Sequence, residues 1–242
     1  YKDDEICISK IWTGIGIRGL VINDTYKDEE ICISNIYKDK NSDFFNKIYC
    51  IEQSKQTNFV FLGTQDGLYY YKNNKEYTSF PEEVKIVNKN HKIIYQIKES
   101  TKNGFWIAGN NAIGHLSLDL NEEVILYKKK NEYNSILQTS ENTIWVGTLS
   151  DGIIKIELEP GSLKLRNVVK YTKKNKNIPI QSIQCLFVDS EDHIWVGTDG
   201  GGLCIYDNVN DMFISVNSLM DFPTDVVNSI VEDNDGTLWL GT

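Results

Sequence analysis

Ile194-Trp195-Val196-Gly197-Thr198, followed by Gly202-Leu203, decides how this chain is read, because the same order of residue types returns along its length. The nearest copy is Ile144-Trp145-Val146-Gly147-Thr148 with Gly152-Ile153. Earlier ones are Ile11-Trp12-Thr13-Gly14 with Gly19-Leu20, Val60-Phe61-Leu62-Gly63-Thr64 with Gly67-Leu68, and the eroded Phe105-Trp106-Ile107-Ala108-Gly109 with Ile113. A sixth copy, Leu238-Trp239-Leu240-Gly241-Thr242, ends the sequence. With the bulky residue at 12, 61, 106, 145, 195 and 239, the intervals are 49, 45, 39, 50 and 44 residues. A period of this size means copies of one structural unit.

The copy from residue 183 to 216 shows what that unit is. Ile183-Gln184-Cys185-Leu186-Phe187 is a short β-run apolar on both faces, as in a strand buried between packed sheets. A turn at Asp189-Ser190-Glu191-Asp192-His193 leads into a second strand at 194–198. Asp199-Gly200-Gly201-Gly202 supplies the positive φ angles of a tight hairpin, and third and fourth strands follow at 203–206 and 212–216. First strands are expected again at 47–51, 92–97, 135–138 and 226–231, third strands at 68–71, 113–116 and 153–156, and fourth strands near 76–79, 124–127 and 167–171. Helical periodicity is absent. A small four-stranded sheet cannot bury both faces alone, so the copies must pack on one another. The aromatic ring on the second strand suits the widening wedge between sheets, and the glycine two places on removes a side chain where backbones crowd. The expected fold is all-β: a β-propeller of four-stranded antiparallel blades, about five of them, alone or as part of a larger propeller, spanning residues 1–242 as a single domain. If the ring closes on itself, residues 226–242 pair with residues 15–37.

Composition narrows the function. The chain has 242 residues, 40% hydrophobic and 24% charged, which is ordinary globular composition. A formal charge of −9 disfavours nucleic acid and anionic membranes as partners, since both require a basic surface. Lys128-Lys129-Lys130 and Lys173-Lys174 are too short to reverse this. No apolar run approaches the roughly 18 residues that span a bilayer, and Tyr1-Lys2-Asp3-Asp4-Glu5 is the wrong chemistry for a secretory signal. The chain is therefore expected to be cytosolic or a piece of something larger. Cys7, Cys32, Cys50, Cys185 and Cys204 are scattered in apolar segments without Cys-x-x-Cys spacing and read as buried structural thiols. A separate repetition, Tyr1 to Ser9 against Tyr26 to Ser34 at an offset of 25, differs at one position and is read as a duplicated edge strand.

Val188-Asp189-Ser190-Glu191-Asp192-His193-Ile194-Trp195-Val196-Gly197-Thr198-Asp199-Gly200-Gly201-Gly202-Leu203 resembles the two-component regulator propeller repeat, and so does Val231-Glu232-Asp233-Asn234-Asp235-Gly236-Thr237-Leu238-Trp239-Leu240-Gly241-Thr242. Ala108 in place of glycine, Phe61 in place of tryptophan, and Trp12 without an acidic turn before it depart from the pattern. The resemblance implies the extracytoplasmic sensing region of a membrane-anchored histidine kinase or related signalling protein, often tied to carbohydrate use, with membrane span and output domain outside this chain. The partners it implies are an oligosaccharide or other small ligand, the downstream signalling domains of the same polypeptide and, through the full-length protein, a second copy. No cofactor, metal or catalytic residue is expected.

Other readings of the chemistry are weaker. His91, His115 and His193 fall at no equivalent positions, so a metal or lyase-like site gains nothing from spacing. Glu191-Asp192 and Glu232-Asp233 recur at one turn of successive repeats, which fits turn chemistry better than acid–base catalysis. Asp199-Gly200-Gly201-Gly202 precedes no helix and is no phosphate loop. In Tyr69-Tyr70-Tyr71 at least one ring must be packed, because alternate residues of a strand face opposite ways. A propeller acting only as a protein-interaction platform is the third alternative. Antiparallel strand order places the second-to-third-strand hairpins at one face, which gathers Arg18, Gln65, Asp66, Asn110, Asn111, Ser150, Asp151 and Asp199 around one opening, with Tyr77, Tyr127, Tyr133 and Tyr171 in or beside the linkers. Amides and carboxylates supply hydrogen bonds to a hydroxyl-rich ligand, and aromatic rings supply a surface for the apolar side of a sugar.

Overall fold

The structure, a computed structural model, describes residues 10–15, 19–24, 29–32, 48–57, 59–72, 82–175, 178–179, 181–216 and 222–242, and up to residue 32 it gives the backbone path. Strands β1 (Lys10–Ile15), β2 (Gly19–Asp24) and β3 (Glu29–Cys32) form a three-stranded antiparallel sheet in that order. The next sheet contains β4 (Ile48–Gln53), β5 (Phe59–Thr64), β6 (Gly67–Lys72) and β7 (Glu82–Glu83), followed by a single helical turn, α1 (Lys85–Asn88). Then come β8 (Ile94–Ser100), β9 (Gly104–Ser117), β10 (Glu123–Ser140), β11 (Thr143–Thr148), β12 (Ile153–Leu158) and β13 (Leu165–Tyr171), joined in one six-stranded sheet. Strands β14 (Ile183–Val188), β15 (Ile194–Thr198), β16 (Leu203–Asp207) and β17 (Met212–Ser215) make a further four-stranded sheet, and β18 (Ser229–Glu232) pairs with β19 (Leu238–Gly241) alone.

The six-stranded sheet is two blades run together. Its β9 holds the second and third strands of one blade: Trp106 pairs with Lys98 of β8, while Leu116 pairs with Glu123 of β10. The bend lies at Asn110-Asn111, where Asn111 takes a φ of 70°. The long β10 first completes that blade beside β9 and then becomes the first strand of the next, where Leu137 pairs with Trp145. Four complete blades of four antiparallel strands therefore follow one another, with a three-stranded sheet before them and a two-stranded one after. This is the propeller architecture expected from the repeat.

First strands β4, β8, the second half of β10, β14 and β18 stand side by side, and the space between successive blades is filled from the second strands. Trp106 packs with Ile113 of its own blade and with Tyr133, Ile136 and Val146 of the next. Trp145 packs with Tyr171 of its own blade and with Ile183, Val196 and Phe213 of the next. The glycine two places after the ring is where the neighbouring backbone crosses. A Cβ on Gly147 would lie 2.6 Å from Ile183 Cγ2, and one on Gly197 would lie 2.5 Å from the Val227 carbonyl oxygen.

Several expectations are corrected. The fourth strand beside β6 is β7 at Glu82–Glu83, whereas residues 76–79 lie outside the described residues. The sequence showed no helix, yet α1 occupies the wedge where Phe61 replaces tryptophan: Val84 and Val87 are buried there with Phe61 and Phe105, restoring the volume that the smaller ring leaves. Among the described residues, closure by pairing residues 226–242 with 15–37 is not made, since β18 and β19 pair only with each other there. The reason is strand count. The edge of β2 that β19 would need is already taken by β1, which carries its own copy of the second strand. As a result Trp239 is 61% exposed, where Trp106 and Trp145 are buried. Residues 1–9, the first copy of the duplicated segment, lie outside the described residues.

Removal of a wholly buried aromatic ring costs about 3–5 kcal/mol. Trp145→Ala is expected to lose stability in that range by denaturant titration, and Gly147→Ala to be clearly destabilising because its methyl meets Ile183. Trp195 is half-buried beneath the two-stranded terminal sheet, so Trp195→Ala should cost less than Trp145→Ala. Equal losses at the two positions would mean that the terminal sheet is covered in solution.

Candidate functional site

The hairpins between second and third strands are set by one buried residue. Thr64, Thr148 and Thr198 each donate a hydroxyl hydrogen to a glycine carbonyl, of Gly67 at 3.0 Å, Gly152 at 2.8 Å and Gly202 at 2.8 Å. The same hydroxyls accept from the backbone N–H groups of Asp66 at 3.0 Å, Asp151 at 2.8 Å and Gly201 at 3.0 Å. Threonine after the small residue thus ties each hairpin from within, leaving its outer side chains to solvent. Hairpins are also bonded to the segments that lead into first strands: within one blade Asn110 N–H donates to Ile93 O and Asp199 N–H to Ser182 O, while Gly152 N–H to Gln181 O, and Gly200 and Gly202 N–H both to Asp225 O, reach the segment leading into the next blade. Hairpins and linkers therefore form one continuous end of the blades.

The residues singled out in the sequence distribute unevenly on that end. Asp66, Asn111, Ser150, Asp151 and Asp199 are exposed there, and Gln65 is half-buried. Asn110 is committed to the fold, because its side-chain oxygen accepts from the Lys92 and Ile93 N–H groups at 2.8 Å each. Asp151 lies 3.5 Å from Lys170 Nζ. Arg18 and Tyr77 lie outside the described residues. Two of the aromatics expected in the linkers are core instead: Tyr133 and Tyr171 are buried, the first donating to Lys129 O at 3.2 Å and the second to Asp211 Oδ1 at 2.5 Å. Tyr127 is half-buried against Tyr133, with Lys129 Nζ 5.3 Å from its ring centre. In the tyrosine run, Tyr71 is the packed ring.

The aromatic surface comes from a place the sequence did not reveal. All four complete first strands carry a register shift near their start, between Ile48 and Cys50, Ile94 and Gln96, Tyr133 and Ser135, and Ile183 and Cys185. The extra residue at such a bulge is left unpaired and its side chain is re-aimed. These residues are Tyr49, Tyr95, Asn134 and Gln184. Tyr49 and Tyr95 meet edge to face at 5.0 Å, and the Tyr95 hydroxyl donates to Glu132 Oε1 at 2.8 Å. Burial and then the Glu132 carboxylate raise the Tyr95 hydroxyl above its ordinary range, so it stays a donor. Beside Glu132, Asn131 Oδ1 accepts from Ser150 Oγ at 3.1 Å, and Ser150 O accepts from Gln181 Nε2 at 2.8 Å. Asn134 Nδ2 donates to Gln184 O at 3.3 Å, while its buried Oδ1 has no hydrogen-bond partner. Rings, amides and carboxylates from Tyr49 to Asp199 thus stand as a rim at the hairpin end of the blades, joined in pairs by these contacts. The one signal for it in the sequence is a polar or aromatic residue interrupting the apolar start of each first strand.

Residues 128–150, 177–200 and 221–242 match the sequence model of the two component regulator propeller. No curated protein matches the chain with significance. Among solved structures, the extracellular domain of a protein described as a hybrid two component system of B. thetaiotaomicron superposes with a TM-score of 0.71 at 17% identity, covering 97% of this chain and 31% of that one. The extracellular domain of a B. thetaiotaomicron protein described as a one component system gives 0.70 at 17% identity, covering 97% and 30%. A gluconolactonase of Xanthomonas campestris gives 0.63 at 10% identity, covering 96% and 78%. At these identities the likeness is one of fold, and the chain spans less than a third of either B. thetaiotaomicron domain. No helix among the described residues is long and apolar enough to cross a membrane.

The reactive side chains are spread through the fold. His91 is buried with its Nε2 2.9 Å from Glu123 Oε1, whose other oxygen accepts from Asn90. His193 sits 3.0 Å from Asp189 Oδ2. That carboxylate also accepts from the Trp195 indole at 2.7 Å, as Asp233 does from Trp239 at 2.7 Å. The acidic turns are therefore turn and indole-capping chemistry, and the equivalent residues are Asp189 and Asp233, each six places before its tryptophan. Burial works against the charge on Asp189, but the Trp195 indole and the turn N–H groups hold its carboxyl below the usual range. Burial pushes the thiols of Cys50 and Cys204 up to about 12 and that of Cys185 to about 11, out of the nucleophilic range.

His115 is buried, with its ring 4.5 Å from that of Trp106 and its Nε2 without a hydrogen-bond partner. Burial, and after it Lys102, push it down to about 4. An unfolded histidine titrates near about 6.5, so the unfolded chain holds the extra proton below that pH. The stability linked to this ring is complete above pH about 6.5 and is lost as pH falls towards 4. Melting curves between pH 7 and 4.5 should decline more shallowly for His115→Gln than for the unchanged chain, and an identical decline would assign the acid sensitivity to other groups.

Proposed function

We propose that this chain, which carries two component regulator propeller repeats, is the ligand-sensing propeller of a membrane-anchored signalling protein and that it recognises an oligosaccharide on its extracytoplasmic side. The observation that supports the reading best is the rim. Exposed carboxylates of Asp66, Asp151 and Asp199, the Asn111 amide and the Ser150 hydroxyl share one end of the blades with the Tyr49 and Tyr95 rings. A sugar offers the matching surfaces, hydroxyls for the polar groups and an apolar ring face for the tyrosines. Because the hairpins at 149–152 and 199–202 are bonded to the linkers of the next blades, a ligand bridging two hairpins would stiffen the contact between blades, and that is the mechanical change a downstream domain of the same polypeptide could read. The role is binding rather than catalysis: the buried thiols stay protonated, and the three histidines sit in three separate surroundings.

Calorimetric titration of neutral oligosaccharides tests this. Tyr95→Ala is expected to weaken binding more than about tenfold, in line with roughly 1–2 kcal/mol for a lost aromatic and hydrogen-bonding surface. Asp66→Ala, Asn111→Ala and Asp199→Ala should each give a smaller loss. Affinity untouched by all four would reject the rim as the site, and silence from every sugar would reject the ligand class.

A further inference from the structure

The one helical turn among the described residues creates a second recess. On its inner side, α1 is fixed by buried Val84 and Val87 and by Asn88, whose Oδ1 accepts from Leu68 N–H at 2.7 Å. Its outer side presents Lys85 and Lys89, exposed and four residues apart, so that both ammonium groups rise from one face. Neither lysine takes part in an ion pair among the described residues, in a chain whose acidic groups outnumber its basic ones by nine. Opposite them lies the turn after β9, held in shape by Asp119, which accepts from Ser117 Oγ at 2.6 Å and from Asn121 Nδ2 at 2.9 Å. Between α1 and that turn is a crevice of about 400 Å³, within the range of small-ligand sites. Tyr70, Ile86 and Leu120 give it an apolar wall, and Lys85, Lys89, Asp119 and Asn121 give it polar groups. None of these residues belongs to the rim.

We propose that this crevice binds an acidic saccharide, with a uronate carboxylate between Lys85 and Lys89, the apolar face of its ring against Leu120 and Tyr70, and its hydroxyls on Asn121 and Asp119. Each alternative leaves part of the lining unmatched. A simple inorganic anion would satisfy the lysines but not fill the volume. An apolar carboxylic acid would pair with the lysines but offer no hydroxyl to Asp119 and Asn121. A neutral sugar would leave both ammonium groups to solvent and gain none of the attraction that a carboxylate between them adds. The ligand class shares its sugar chemistry with the sensing role proposed above, but the binding itself is independent of the rim.

The test is calorimetric titration of the whole chain with trigalacturonate, its methyl ester and the neutral trigalactoside. Trigalacturonate is expected to bind, to weaken as salt rises, and to lose at least tenfold in affinity both on esterification and in the Lys85→Gln/Lys89→Gln double variant. Lys128→Gln/Lys129→Gln, which removes charge from the most basic stretch elsewhere, should leave binding unchanged, and so should Tyr95→Ala at the rim. The proposal is overturned if trigalacturonate does not bind, if the Lys128/Lys129 variant loses as much as the Lys85/Lys89 variant, or if only the rim variant loses affinity. That last result would retain the sensing role and move the acidic sugar to the rim. Silence from every neutral sugar, with the lysine dependence intact, would reject neutral sugars as the rim's ligand class and leave the crevice standing.

Discussion

Where the second strand of one blade passes the first strand of the next, there is room for a backbone and nothing more, and the rest of the molecule is arranged around that crossing. An added Cβ at Gly63, Gly147 and Gly197 would fall 2.9 Å from Ile94 O, 2.6 Å from Ile183 Cγ2 and 2.5 Å from Val227 O of the next blade, and at Gly63 and Gly197 also 2.5 Å from the sulfurs of Cys50 and Cys185 in their own blades. The first strands accommodate the crossing with a bulge one residue ahead of Cys50, Ser135 and Cys185, the residues that lie opposite these glycines. Small side chains at those places are thus spacing elements, and the thiols among them are pushed up by burial because they serve as filling. Two residues before the glycine the sheets have begun to diverge, and an indole or phenyl ring takes up the difference.

From that crossing follows the functional end of the molecule. The bulge turns Tyr49, Tyr95, Asn134 and Gln184 out of the strand pairing, and the threonine after the glycine closes the hairpin beside them. Packing and recognition are coupled by a few residues of chain: the apolar contact that joins two blades also sets where the polar rim stands. Blade-to-blade bonds such as Tyr95 to Glu132 and Asn134 to Gln184 extend the coupling across the rim. A ligand held there would act on the interface between blades rather than within one.

The second blade shows how the repeat tolerates a lost ring. Phe61 is smaller than the tryptophan it replaces, and the linker after β7 folds into α1 to bring Val84 and Val87 into the gap. The substitution that weakens the repeat as a pattern thereby creates a recess lined by Lys85 and Lys89, on the flank between two blades. At the other end of the chain the same logic runs in reverse. Trp239 has its strand and its indole bond to Asp233, but among the described residues no further sheet packs on it and it is 61% exposed.

Sequence alone determined the period, the strand order within a blade, the wedge role of Trp106 and Trp145, and the hairpins that carry Asp66, Asn111, Ser150, Asp151 and Asp199, because each depends on residues close together in the chain: a ring, a glycine, a threonine and a turn within about ten positions. Tertiary structure decided what depends on the neighbouring blade. Tyr133 and Tyr171 read as linker aromatics, but the neighbouring blades bury them, and Asn110 read as a ligand-facing amide but is spent on the N–H groups of Lys92 and Ile93. Tyr49 and Tyr95 read as ordinary strand residues, since a bulge leaves no mark on alternation until the partner strand fixes the register. The helix α1 was invisible for a similar reason. One turn has no periodicity of its own, and it forms because the space beside Phe61 has to be filled.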